Sequence, residues 1–336
     1  IPSLDTLVEH LLHRIVLAPW PNHEQELDTE WIDDDSMPLP LRTRLGSLRV
    51  LTQWCCVQKK ADLVPPVLKL LWILLGTGEV HRDQHIPLGV RSRLRLFAAQ
   101  CILKLATCDA YASLILPRMG RLSYALQDEC FQVRMHLLHD LLLYLMRDEL
   151  PTEFHAAIFL VAFDPEDEPR VQVASYTRRL QVLPPIVRHE RLERIIVRFL
   201  HLLAHHPDLN AESPQTLCSF ARYLEFYLAC VACETNIGVL ARFSACVRTY
   251  IDLSLSEPSV ENSRPLYAMA ELAQFLIQRL ADNHGWTIYP VDEEAPCPKD
   301  ILRSTGTIAR SVLDGEVWEL LQQQPRRHRD KKTKVA

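Results

Sequence analysis

The chain has 336 residues, 48% of them hydrophobic, and a net charge of −5: enough apolar material for a continuous core, and too acidic for a broad nucleic-acid groove. Nine glycines against abundant Leu and Ala favour helix over turn-dense sheet. No G-x-G-x-x-G, P-loop, G-x-S-x-G or H-E-x-x-H pattern is present, which removes the commonest phosphate and hydrolase signatures.

Amphipathic helical patterns recur along almost the whole chain, and none alternates apolar and polar residues long enough for a sheet. In order, helices are expected over 3–18, 41–59, 65–76, 89–107, 110–126, 129–148, 152–163, 167–182, 189–206, 213–233, 237–255, 264–283 and 299–313. Between the first two lies an acidic loop, 23–36, with seven carboxylates: Glu24, Glu26, Asp28, Glu30, Asp33, Asp34 and Asp35. It reads as a solvated connection or, more sharply, as a docking segment for a basic partner. No apolar run, the one at 70–75 included, approaches the roughly 18 residues a bilayer span needs, so no membrane segment is expected. No signal-peptide pattern follows Ile1, and the chain is read as a piece of something longer. Ten cysteines in this setting suit a reducing compartment; Cys230 and Cys233 form a C-x-x-C without a second pair and read as core filler.

Two segments suggest a repeat. GVRSRLRLFAAQCILKL at 89–105 and QDECFQVR at 127–134 each carry a Val-Arg pair near a helix start, 43 residues apart. That interval lies within the roughly 40–47 residue period of HEAT and armadillo arrays, in which each helix pair leaves a flank for the next. The expected fold class is therefore all-α, a HEAT-repeat α-solenoid of stacked antiparallel helix pairs over 1–315, followed by a short helix and a basic disordered tail over 316–336.

FLHLLAHHPDLN at 199–210 raises the question of a metal, because His201 and His205 are four apart and share a helix face. On 189–206, Leu192, Ile195, Ile196, Phe199 and Leu203 form the apolar stripe. Arg191, Arg194, Arg198, His201 and His205 fall on the other side, within an arc of roughly 80°. With no carboxylate on that arc and only two ligands, neither a metal, a cofactor nor a catalytic residue is expected. His205 and His206 read instead as a helix end before Pro207. The outward stripe Arg191, Arg194 and Arg198 is one candidate binding surface, since guanidinium groups grip carboxylates or phosphates bidentately. The tail PRRHRDKKTKVA is the other: Arg326, Arg327, Arg329, Lys331, Lys332 and Lys334 against Asp330 give +5, leaving −10 on the rest. It suits weak, local DNA contact or a nuclear-localisation patch.

Several segments together resemble one known family: LRLFAAQCILKLA (94–106), QDECFQVR (127–134), LPTEFHAAIFLVAFDPEDE (150–168), LLAHHPDL (202–209), YLEFYLACVACETNIGVL (223–240) and LYAMAELAQFLIQ (266–278). They are similar, in order and interval, to the later HEAT region of the cohesin-associated regulators named for precocious dissociation of sisters, the Pds-five family. The resemblance implies a non-enzymatic scaffold in the nucleus, on chromatin. It would bind the kleisin subunit of cohesin and work with Wapl in ring release and with the cohesin acetyltransferase in maintaining cohesion. The alternative is a HEAT transport or assembly adaptor that binds basic peptide signals through the acidic loop.

Overall fold

A computed structural model describes residues 9–20, 29–59, 64–79 and 86–323. The fold is all-α and of the HEAT solenoid class, and its residues gather into two compact units, Ile1–Phe199 and Leu200–Ala336. The tail cations Arg326, Arg327, Arg329, Lys331, Lys332 and Lys334 lie outside the described residues, as do 3–8 of the first expected helix and 23–28 of the acidic loop.

In the first unit, the chain is helical to Val16, and α1 (Leu39–Gln58) then begins behind Pro38 with Pro40 in its first turn, where a missing N–H costs nothing. Leu41, Leu45, Leu48, Leu51 and Cys55 form its buried face. In α2 (Val64–Thr77) eight of fourteen positions are buried, so the 70–75 run is packed nearly all round. Gly78 ends it at φ 71, and a Cβ there would meet the Arg91 carbonyl oxygen at 2.6 Å, so both conformation and space require glycine. The next helix, α3 (Leu88–Ala106), packs against α1, α2 and α6 (Phe131–Met146), with Ala98, Ala99 and Cys101 keeping the approaches close.

Where one helix was expected over 110–126, the chain forms α4 (Asp109–Ile115), a 3₁₀ turn at Leu116–Arg118 and α5 (Met119–Ser123). Pro117 breaks the run because it cannot donate to the preceding turn. The segment Thr152–Phe163 is helical as expected but wound as 3₁₀, with every residue from Phe154 to Ala162 buried. The unit continues through α7 (Asp167–Gln181), α8 (Pro185–Arg188), a π turn at His189–Glu193 and into α9 (Ile196–Ala204).

Two helices of this unit, α3 and α6, are each tied to a later turn by a charged rung. Arg95, on α3, donates from Nε and a terminal nitrogen to the Asp128 carboxylate at 2.6 and 2.8 Å. Arg134, on α6, repeats this with Asp164 at 2.8 and 3.4 Å. Each aspartate also accepts the backbone N–H two residues on, Cys130 and Glu166 respectively, so it fixes a turn and an ion pair at once. The interval between Arg95 and Arg134 is 39, slightly shorter than that between the Val-Arg pairs. Both valines of those pairs are buried, but the arginines differ: Arg91 pairs back with Glu79, whereas Arg134 pairs forward with Asp164 and reaches back only to backbone carbonyls.

The acidic stretch is anchored where it is described. Ile32 is buried, Arg93 lies 3.9 Å over the Trp31 ring, and Trp31 stacks on His136. Asp34 pairs with Arg93 at 2.7 Å, while Glu30, Asp33 and Asp35 face solvent. Residues 29–36 are therefore a docked strap rather than a free connection.

In the second unit, Ser213 caps α10 (Pro214–Val231) by accepting the Thr216 N–H. The following turn is clamped by buried Asn236, which accepts the Cys233 N–H and donates to the Val231 carbonyl, and α11 (Ile237–Cys246) follows. A helix was expected to continue to 255, and another to span 299–313. Instead β1 (Tyr250–Asp252) pairs antiparallel with β2 (Leu302–Ser304), Tyr250 opposite Ser304 and Asp252 opposite Leu302. The strands exist because of each other, which no local pattern records. Between them runs α12 (Arg264–His284), and α13 (Gly315–Gln323) packs back on α10. Buried Glu271 on α12 accepts from Ser311 Oγ and the Val312 and Leu313 N–H groups, which pins the extended stretch before α13.

Candidate functional site

The end of α9 lies in the second unit against β1 and the turn after it. This covering changes the character of the histidine face: His201 is only 7% exposed. Asp252, the last residue of β1 and 2% exposed, supplies the carboxylate that the helix itself lacks. His201 Nε2 lies 3.3 Å from one Asp252 oxygen and His205 Nε2 lies 2.5 Å from the other. Ser254 Oγ sits among them, 2.9 Å from His201 Nε2, 3.1 Å from His205 Nε2 and 2.5 Å from Asp252 Oδ1. The two imidazole rings are 4.5 Å apart between centroids, and the outer edge of His205 remains open to solvent.

Asp252 is held firmly. Ser254 N–H donates to Oδ1 at 2.9 Å, and the Asp252 N–H donates to Ser263 Oγ just before α12. Burial alone would push this carboxyl up, but hydrogen bonds from His201, His205 and Ser254 outweigh it and keep the group well below the usual carboxylate range.

A Ser, a His and an Asp in contact invite comparison with a nucleophile relay, and the geometry excludes one. A relay needs the serine on one imidazole nitrogen and the aspartate on the other. Here both meet Nε2 of the same ring, so no proton is passed across it. What converges is a donor set of two imidazole nitrogens and a carboxylate, all within 4.8 Å of one another. The premise that no carboxylate offsets the histidines, drawn from the helix alone, is thus overturned by a residue 47 positions downstream of His205. His206 is separate from the cluster: buried against Phe220 and Tyr223, it accepts the Asp208 N–H on Nδ1, and burial lowers its pKa. It marks the helix end before Pro207.

The arginine stripe is not an open row. Arg198 is 3% exposed, because α9 is covered on this side also, and so it is no part of an outward surface. Arg191 pairs with Asp148 at 2.9 Å and Arg194 with Glu190 at 3.2 Å, so both cations already have carboxylates.

The family model described as sister chromatid cohesion protein PDS5 matches residues 3–303, a stretch that takes in both arginine rungs and the His201–His205–Asp252 cluster. The chain belongs to the sister chromatid cohesion protein PDS5 family. It is 25% identical over 311 residues to sister chromatid cohesion protein pds5 of Schizosaccharomyces pombe, an overlap covering 90% of this chain and 25% of that protein. It is 21% identical over 354 residues to the PDS5 protein of Saccharomyces cerevisiae, covering 93% and 28%. With PDS5 homolog A of Danio rerio it shares 30% identity over 202 residues, covering 56% and 15%. The chain thus spans about a quarter of the length of these yeast PDS5 proteins.

Proposed function

We propose that this segment works in sister chromatid cohesion as a non-enzymatic scaffold that regulates cohesin on chromatin in the nucleus. The carrying observation is the PDS5 match across 3–303. The charge rungs support it physically: Arg–Asp pairs that tie a helix to a later turn, the Arg134–Asp164 pair being buried, favour one packing, as a scaffold presenting fixed surfaces requires. The partners of this reading are the kleisin subunit of cohesin, Wapl and the cohesin acetyltransferase. Chromatin is reached chiefly through cohesin, with the basic tail 325–336 adding a weak contact to DNA.

The docked strap at 29–36 weighs against the adaptor reading, because Asp34 is engaged with Arg93 and Trp31 and Ile32 are spent on packing. The test is a pull-down with the full-length protein carrying this segment, against assembled cohesin and purified Wapl. Retention of kleisin and Wapl is expected; loss of both by a protein with an intact helical circular-dichroism spectrum overturns the proposal. Capture of nuclear-localisation peptides in place of cohesin subunits would favour the adaptor.

A further inference from the structure

The geometry points to a binding site for a divalent transition-metal ion of the zinc class, formed by His201, His205 and Asp252 and clipping the end of α9 to β1. The donor set carries the argument. Two neutral imidazoles and one carboxylate suit a borderline ion such as Zn²⁺, whereas Ca²⁺ and Mg²⁺ favour all-oxygen shells. Three protein ligands with a fourth place open is a recurrent zinc arrangement.

The spacing agrees with the chemistry. Bonds of about 2.0–2.1 Å to nitrogen and oxygen place the ligand atoms of a tetrahedron about 3.3 Å apart. The His201 Nε2 to Asp252 Oδ1 separation is 3.3 Å, and all three ligand atoms fall within 4.8 Å of one another. The i, i+4 placement of His201 on the last turn of α9 and His205 just past its end aims both Nε2 atoms at the same carboxylate. Small movements of His205, the one ligand with an open edge, bring the set to coordination distance and admit the ion.

The surrounding shell is built for a ligand carboxylate. Asp252 is buried and oriented by the Ser254 N–H, and its own N–H is held by Ser263 at the start of α12. Ser254 Oγ, 2.9 and 3.1 Å from the two Nε2 atoms and 2.5 Å from Asp252 Oδ1, stands near the fourth corner of that tetrahedron. Of the arginines on the same run, Arg191 is paired with Asp148 and Arg194 with Glu190. A bound ion would join the end of α9 to β1, which otherwise meet here through side-chain hydrogen bonds.

The test uses the full 336-residue chain, stripped of metal by chelation and titrated with Co²⁺ and then Zn²⁺. His205→Gln is the main variant, because His205 is half-exposed and its replacement leaves the core intact; Asp252→Asn is the second. Expected are one equivalent of Co²⁺ more in the wild type than in either variant, a tetrahedral visible band displaced by Zn²⁺, and a Zn²⁺-dependent rise in Tm absent from His205→Gln. The near-ultraviolet band of cobalt–thiolate bonds should be missing from this equivalent, which separates it from ions on the chain's cysteines. Equal uptake by wild type and a folded His205→Gln, or no saturable uptake at all, overturns the proposal and leaves a hydrogen-bonded His–Asp cluster.

Discussion

Arg134 and Asp164 are desolvated together, with side chains 8% and 1% exposed, and each satisfies the other. Truncating either alone leaves a buried charge without its partner, at a cost of about 3–5 kcal/mol. Arg134→Ala should therefore lower the denaturant midpoint of the first unit sharply, and the double variant Arg134→Met/Asp164→Asn, which keeps an acceptor for the Glu166 N–H, should recover part of the loss. His155 supplies a pH dependence. Burial is the main cause holding it to about 4, with Nδ1 donating to the Thr152 carbonyl and Nε2 accepting from Tyr176. Unfolded, it takes a proton near 6.5, so it leaves stability unchanged above that pH. Between about 6.5 and 4 the unfolded chain binds more protons, and stability falls with pH by up to about 3 kcal/mol. Buried His206, also lowered, acts in the same direction. Urea midpoints measured from pH 4.5 to 7.5 should show this slope, and His155→Gln should flatten it. At this scale the histidine spacing was legible in the sequence, but its partner was not: Asp252 reaches His201 and His205 only through a strand that nothing local announces.

Gly46 and Gly78 show how elements differ in what they tolerate. Gly46 lies on the exposed side of α1 with nothing within 4 Å of a built Cβ, so Gly46→Ala should stabilise by about 0.5–1 kcal/mol. Gly78 combines φ 71 with a backbone contact, and Gly78→Ala should cost at least about 1–2 kcal/mol for the left-handed conformation alone. Paired thermal melts of the two variants should shift in opposite directions. Elements with a sustained stripe, such as Phe131–Met146 or Arg264–His284, could be read from periodicity because burial of one face sets their pattern. Those that differed were decided elsewhere. Pro117 split a pattern whose apolar spacing alone looked continuous. From Ala156 to Phe163 the segment is apolar at every position, so its periodicity does not distinguish 3₁₀ from α. The stretch near 302 became a strand because its partner at 250 lies across α12.

For the whole molecule, the acidic body and the basic tail divide the labour of charge. With only six cations in 325–336, the slope of log K against log salt for DNA should be no steeper than about −5. Deleting 326–334 should abolish that binding while leaving kleisin retention unchanged, which electrophoretic shift and pull-down read separately. The HEAT class was legible because the long described helices carry an apolar flank needing a neighbour. The repeat interval was legible only approximately, since the valines that advertise it are not the residues that link one helix pair to the next. Those links have a practical consequence for dissecting the chain. Arg95 reaches Asp128, Arg134 reaches back to the Asp128 carbonyl, and Arg134 also reaches forward to Asp164. Any boundary drawn between 95 and 164 strands a guanidinium without its acceptor. Fragments cut there should misbehave in solution, while a protease nick in the same stretch should leave both halves clasped together.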